Sequence, residues 1–91
     1  MITKVKASHI LVPTLNEAVS LHEQINQGAD FGLLAKQNSK CPSGRNGGDL
    51  GEFGRGMMVK GFEDAAFSLN VNELSVPIQT QFGYHLIKRT A

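Results

Sequence analysis

The chain has 91 residues, 41% of them hydrophobic, and nine Lys and Arg against eight Asp and Glu give a net charge of +1. That length points to one domain, and that composition excludes a disordered chain. The near balance of charge argues against a protein built to coat nucleic acid or an acidic membrane, and no run of ~18 apolar residues is present to cross a bilayer.

Residues Lys4–Val12 alternate. Val5, Ala7, His9 and Leu11 fall on one face and Lys4, Lys6, Ser8, Ile10 and Val12 on the other, the period of two that specifies a strand. Pro13 ends the strand or marks a sheet edge. Asn16 can cap a helix from Glu17 to Gln27, in which Ala18, Leu21 and Ile25, with Val19 and His22 beside them, form one buried face. Gly28 suits the left-handed position after the helix. Asp30 can cap a second helix, Phe31 to Asn38, with Phe31, Leu34 and Ala35 inward. Ser39–Gly48 reads as a polar loop, with Cys-Pro-Ser-Gly and Asn-Gly-Gly as its turn signals. Asp49–Gly54 is a short strand carrying Leu50 and Phe53. Lys60–Leu69 is a third helix, with Phe62, Ala65, Ala66 and Leu69 at helical spacing. Ser75–Gln79 is a short strand interrupted by Pro77, hence an edge, and Tyr84–Thr90 is the last strand. Seven of the ten glycines fall between Gly44 and Gly61. Each would cost ~1 kcal/mol inside a helix, so that stretch is loop, strand and turn. The order strand, helix, helix, strand, helix, strand, strand predicts an α+β fold: a small four-stranded, mostly antiparallel sheet surrounded by three to four helices.

Few residues are suited to chemistry. His9 and His85 lie in the first and last strands. Terminal strands of a small sheet often pair, so the two rings are expected to meet, as hydrogen-bonded core histidines or as the polar floor of a site. Cys41, the lone cysteine, excludes a disulfide framework and suits a reducing compartment. As a loop thiol it is a nucleophile only where a base lowers its pKa, and no cysteine-protease signature surrounds it. A zinc site from Cys41, His9 and His85 lacks the usual short ligand spacing. Met57 and Met58, in a Gly-rich turn, together with Phe62 and Phe82, are the residue types of an adaptable apolar pocket, or simply of a core. Gly44–Gly48 carries no phosphate-loop pattern, and Arg45, Arg55 and Lys60 read as solvated surface. Met1-Ile2-Thr3-Lys4 runs straight into polar sequence without a signal-peptide core, so a cytoplasmic protein is expected.

Five stretches resemble the parvulin peptidyl-prolyl isomerases, in order along nearly the whole chain. Ala7-Ser8-His9-Ile10-Leu11-Val12 resembles their opening strand and Phe31-Gly32-Leu33-Leu34-Ala35 their second helix. Gly47-Gly48-Asp49-Leu50-Gly51-Glu52-Phe53 resembles their central strand. Gly56-Met57-Met58-Val59-Lys60 followed by Phe62-Glu63-Asp64-Ala65-Ala66-Phe67 resembles the approach to their third helix and the helix itself. Thr80-Gln81-Phe82-Gly83-Tyr84-His85-Leu86-Ile87 resembles their final strand.

The resemblance implies a stand-alone catalytic domain over residues 1–91 that speeds rotation about X–Pro bonds and assists folding, without cofactor or metal. It implies that His9 and His85 are the family's paired strand histidines, and that Thr80 supplies the hydroxyl bonded to the second of them. Cys41 matches a loop position that other members fill with Asp or Ser. Met58 and Phe62 match the proline pocket, Phe82 its third wall, and Leu50 a lining position. The implied partners are proline-containing peptides and unfolded or partly folded proteins, with no nucleic acid or membrane, and the implied state is a monomer. Two departures stand out. Gly61 replaces the Pro or Ala many members carry before the pocket Phe, which loosens the helix start. The loop Pro13-Thr14-Leu15-Asn16 is short and lacks Lys or Arg, so it cannot neutralise a phosphate of roughly −2 charge, and the resemblance is to the non-phospho-specific kind. An apolar or basic residue before the proline follows. The rival readings are a module that binds proline-rich or apolar segments as a chaperone without useful catalysis, and a thiol enzyme pairing Cys41 with His9 or His85.

Overall fold

In the computed structural model, which describes residues 2–91, strand β1 (Lys4–Val12) runs through the middle of the sheet and is covered on both faces. It is followed by α1 (Leu15–Asn26), α2 (Phe31–Asn38), a short 3₁₀ helix (Pro42–Asn46), β2 (Asp49–Gly54), α3 (Lys60–Ser68), β3 (Ile78–Thr80) and β4 (Gly83–Arg89). The sheet order is β2-β1-β4-β3, and every neighbouring pair is antiparallel. The predicted α+β class and element order therefore stand.

Alternation along β1 divides the core. Val5 and Ala7 join Phe53, Ile87 and the α3 residues Phe62, Ala66 and Phe67 on one face. Ile10 and Val12 join Leu86 with Ala18, Leu21, Phe31, Leu34 and Ala35 of α1 and α2 on the other. His9 and Leu11 continue the α3 face of β1 toward its far end.

Three element boundaries differ from the sequence expectation. Helix α1 starts at Leu15, because Thr14 rather than Asn16 is the cap: its extended backbone lets its Oγ1 accept the N–H of Glu17 at 3.2 Å. The expected 75–79 strand splits around Pro77, which has no N–H to donate. Ser75 N–H bonds the Ile87 carbonyl at 2.7 Å and Leu74 bridges Lys88, whereas β3 proper begins at Ile78. The polar loop contains a 3₁₀ turn, opened by Pro42 and closed by Gly47 in the left-handed region. Asp30 caps α2 as expected, its Oδ2 accepting from Leu33 N–H at 2.9 Å.

The β1–β2 pairing carries a bulge. Lys6 lies opposite Glu52 but Ser8 opposite Asp49, so β2 fits one extra residue there, with Gly51 at φ +72°. The extra residue turns Leu50 onto the same face as Phe53, three positions away, where strict alternation would have set them on opposite faces. Two close approaches fix the ends of this region. A Cβ on Gly48 would lie 2.3 Å from the His9 carbonyl oxygen, and one on Gly83 2.7 Å from that of Val12. Both residues also have positive φ, so only glycine lets these turns pass so near β1.

Candidate active site

At the end of the α3 face a cleft of about 440 Å³ opens above β1 and β4. His9 and Leu11 of β1 and His85 of β4 border its base. Phe62 of α3, Leu50 of β2 and the turn residues Met57, Met58 and Val59 form one side, and Phe82 of the β3–β4 turn and the loop residues Lys40, Cys41 and Pro42 form the rest. Phe62 is buried at 3% exposure, while Phe82 is 61% and Met57 69% exposed, so the cleft has a packed wall and an open lip.

The histidines meet as the sequence suggested. Because Leu11 lies opposite His85 and His9 opposite Ile87, His9 and His85 stand diagonally on one face of adjacent strands. Their Nδ1 atoms are 3.0 Å apart and their rings stack at 17°. Phe62 meets both rings edge-on, at 5.3 and 5.2 Å between centroids. Thr80 Oγ1 lies 2.7 Å from His85 Nε2 and accepts the N–H of Phe82 at 3.2 Å. One proton arrangement gives Thr80 and His85 a full set of partners: Thr80 O–H donates to His85 Nε2, and His85 Nδ1–H donates to His9 Nδ1. His9 Nε2 alone is left buried without a partner. Burial holds the His9 pKa down to about 4, with a smaller contribution from repulsion by His85. Burial also lowers His85. At neutral pH the floor is therefore uncharged.

The thiol has a partner of its own. Leu11 N–H donates to Ser39 Oγ at 3.0 Å and Lys40 N–H to the Leu11 carbonyl at 2.7 Å, which ties the loop to β1. Cys41 Sγ accepts from Ser43 Oγ at 3.3 Å, while both Nδ1 atoms and His85 Nε2 are engaged with each other and with Thr80. Among the described residues no base is hydrogen-bonded to the thiol to activate it as a nucleophile. Two nitrogens of the pair face each other and a third faces Thr80, so the set Cys41, His9 and His85 does not converge on a metal. Among the described residues no group of three or more His, Cys, Asp or Glu is placed to hold one.

All the residues expected from the sequence converge here, with one qualification. Thr80 does not line the cleft and reaches it only through His85. Sequence reasoning missed Lys40, Leu11, Pro42 and Val59. Leu11 had a signal in its shared face with His9, and Lys40 and Pro42 in their adjacency to Cys41.

The comparisons with known proteins agree with this geometry. The PPIC-type PPIASE domain family matches residues 1–91. Foldase protein PrsA 4 of Bacillus cereus is 52% identical over 88 residues, 96% of this chain but 31% of that protein, so the chain spans about a third of the length of the curated relatives it matches. The crystal structure of PrsA from Bacillus anthracis superposes with a TM-score of 0.97 at 46% identity, covering 98% of this chain and 42% of that one. NmPin, the parvulin of Nitrosopumilus maritimus, is 50% identical with a TM-score of 0.90, covering 100% of this chain and 99% of its own. Family match, identity and superposition run through the same strands and helices that build the cleft, and on that ground the chain belongs to the PPIC-type PPIASE family, the parvulin-type peptidyl-prolyl cis/trans isomerases.

Proposed function

We propose that the chain accelerates cis/trans rotation about X–Pro bonds in peptides and in unfolded or partly folded proteins, by stabilising the twisted amide without covalent chemistry. The observation that carries this reading is an apolar cleft built over an uncharged, hydrogen-bonded histidine pair. Rotation about X–Pro crosses a barrier of ~20 kcal/mol because the amide must lose its resonance. The planar amide is the more dipolar form and is well solvated by water. A dry apolar pocket penalises it more than the twisted form, and a lowering of ~5–7 kcal/mol would give about 10⁴–10⁵-fold acceleration.

In this reading Met58, Phe62 and Phe82 grip the proline ring and Leu50 completes the wall. His9, His85 and Thr80 keep the floor rigid, and Cys41 is a non-covalent neighbour of the rotating bond. Residues 1–91 act as one catalytic domain and as a monomer, a reading supported by the match to NmPin over 99% of that chain. Among the described residues no helix is long and apolar enough to cross a membrane. We place the chain in the cytoplasm, a reading supported by the single unbridged Cys41, which suits reducing conditions.

The test is exchange spectroscopy on a short X–Pro peptide with the isolated 91-residue chain. Faster cis/trans exchange supports the isomerase. Shifted peptide resonances without faster exchange would support the second reading, a chaperone that binds apolar segments. The exposed lip of Phe82 and Met57 favours that alternative, as does a 39% identical structural relative described as a SurA-like chaperone.

A further inference from the structure

We propose that Glu63 is a positioning residue for substrate binding: it fixes the methionine side of the cleft from behind, through the Arg55–Gly56 turn, without touching substrate. The inference rests on the proline-binding reading of the cleft.

Glu63 follows the wall residue Phe62 on α3, and it is the one carboxylate among the described residues that is buried, at 8% exposure. One carboxylate oxygen accepts the backbone N–H of Gly56, and the other accepts from Arg55 Nη1 at 3.0 Å. The Arg55 guanidinium lies 4.4 Å above the Phe67 ring, which fixes that end of the pair to α3 as well. The tied segment is the five-residue link between β2 and α3, which contains Met57 and Met58. Its Gly56 has φ +89°, and a Cβ there would meet nothing within 4 Å, so packing does not hold the turn. Its other side-chain anchors are weak: Arg55 Nη1 reaches the exposed Asp64 Oδ1 at 3.5 Å, and Gly54 N–H donates to Met57 Sδ at 3.4 Å. Methionine side chains are flexible, and a pocket made of them binds well only when their backbone is ordered in advance. A buried carboxylate holding a main-chain N–H supplies that order, and its place in the first turn of α3 favours its charge.

The test compares Glu63→Met, which keeps the volume and removes both acceptors, with Glu63→Gln, which keeps an oxygen for Gly56 N–H. For an X–Pro tetrapeptide, Glu63→Met is expected to raise KM and Kd by about tenfold, within reach of one lost charge-assisted hydrogen bond, while kcat stays within about twofold. The Gly56 amide should exchange with solvent faster in Glu63→Met, and those of Ala66 and Phe67 should not. Glu63→Gln should restore KM to within about threefold of the parent chain. An unchanged KM in Glu63→Met, or a fall in kcat alone, overturns the assignment. If Glu63→Met does not fold, Glu63→Gln against Arg55→Ala decides. A raised KM in Arg55→Ala supports the clamp, and parent-like KM in both overturns it. The Kd ratio also reads the clamp where the parent chain binds peptide without speeding exchange, so failure of the isomerase reading is seen separately.

Discussion

The Nδ1 atoms of His9 and His85, residues 76 positions apart in the chain, stand 3.0 Å from each other beneath the cleft. Only one proton can sit between two such nitrogens, so the pair works as a neutral unit. Charging one ring would bury an imidazolium in a site already screened from water, and charging both would leave two like-charged donors facing each other. The pair thus couples the polarity of the cleft floor to the stability of the β1–β4 pairing.

Stability should therefore fall on acidification. His9 is held at about 4 against an ordinary 6.5, and His85 is shifted the same way. Below pH 6.5 the unfolded chain takes up protons that the folded chain refuses. The stabilisation is complete above 6.5 and is lost progressively as pH falls toward 4. Urea unfolding at pH 4.5 should give a free energy roughly 2–3 kcal/mol below that at pH 7.5 from His9 alone. His9→Leu should flatten that slope whatever its stability at neutral pH. Equal urea midpoints for the parent chain at the two pH values would contradict the assignment.

The two pocket phenylalanines should separate binding from folding. Phe82, 61% exposed, contributes little to the core, so Phe82→Ala should leave Tm within about 2 °C and weaken X–Pro peptide binding about fivefold, the effect of ~1 kcal/mol of lost apolar contact. Phe62 is 3% exposed in the α3 core, and Phe62→Ala would cost ~3–5 kcal/mol, enough to confuse lost folding with lost activity. Phe62→Leu, at about 1 kcal/mol, is the usable variant and should lower kcat/KM while the chain stays folded. Peptide titration and thermal melts of both variants check this.

Much of this site was legible in the sequence because it depends on period-two strands at the chain ends. His9 in β1 and His85 in β4 needed only the pairing of two alternating segments. Asp30, followed at once by apolar residues at helical spacing, marked its helix plainly. Other features depend on tertiary context. Thr14 and Asn16 are both good caps, and the folded chain selects the first by leaving Thr14 extended and Asn16 inside the helix. Leu50 and Phe53 share a face because of a bulge at Gly51, which strand periodicity hides. Glu63 carried no signal of its own, since nothing local shows that it will be buried against an amide of the preceding turn.

Cys41→Ser should retain activity. The thiol accepts from Ser43, and the two histidines bond each other through Nδ1, so its role does not depend on nucleophilicity. A serine hydroxyl can accept the same hydrogen bond, and kcat/KM should stay within about threefold of the parent chain, a change of ~0.6 kcal/mol. Loss of turnover with intact peptide binding would restore the thiol-enzyme reading. A peptide exchange assay before and after alkylation of the parent chain gives an independent check.

Phosphorylation before the proline should not help. The β1–α1 connection is only Pro13-Thr14, and among the described residues lining the cleft Lys40 is the one cation apart from the neutral histidines. One exposed lysine cannot balance a phosphate of roughly −2 charge, which needs a cluster of basic donors. Lys40 also disfavours a basic residue at its rim, which keeps the apolar half of the sequence expectation, drops the basic half and admits a single acid. Phosphoserine-Pro should be turned over no better than Glu-Pro, and Leu-Pro about as well as either. A clear phosphopeptide preference in kcat/KM would overturn this.

Gly61→Ala should stabilise the protein without harming the cleft. Gly61 is exposed in the first turn of α3, and an added Cβ would meet only the Gln79 carbonyl oxygen at 3.8 Å, an ordinary contact. Its backbone is not in the left-handed region, so alanine is free to adopt it. Alanine restricts the unfolded chain and should add ~0.5–1 kcal/mol to the unfolding free energy. If the helix start were the loose part of the pocket, the same change would also tighten peptide binding. Phe62, the next residue, is already buried against Phe53, His9 and His85, so packing holds this wall of the cleft whatever stands at position 61. Binding should therefore be unchanged while the urea midpoint rises, and a coupled gain in affinity would show that the start of α3 is the loose part of the pocket.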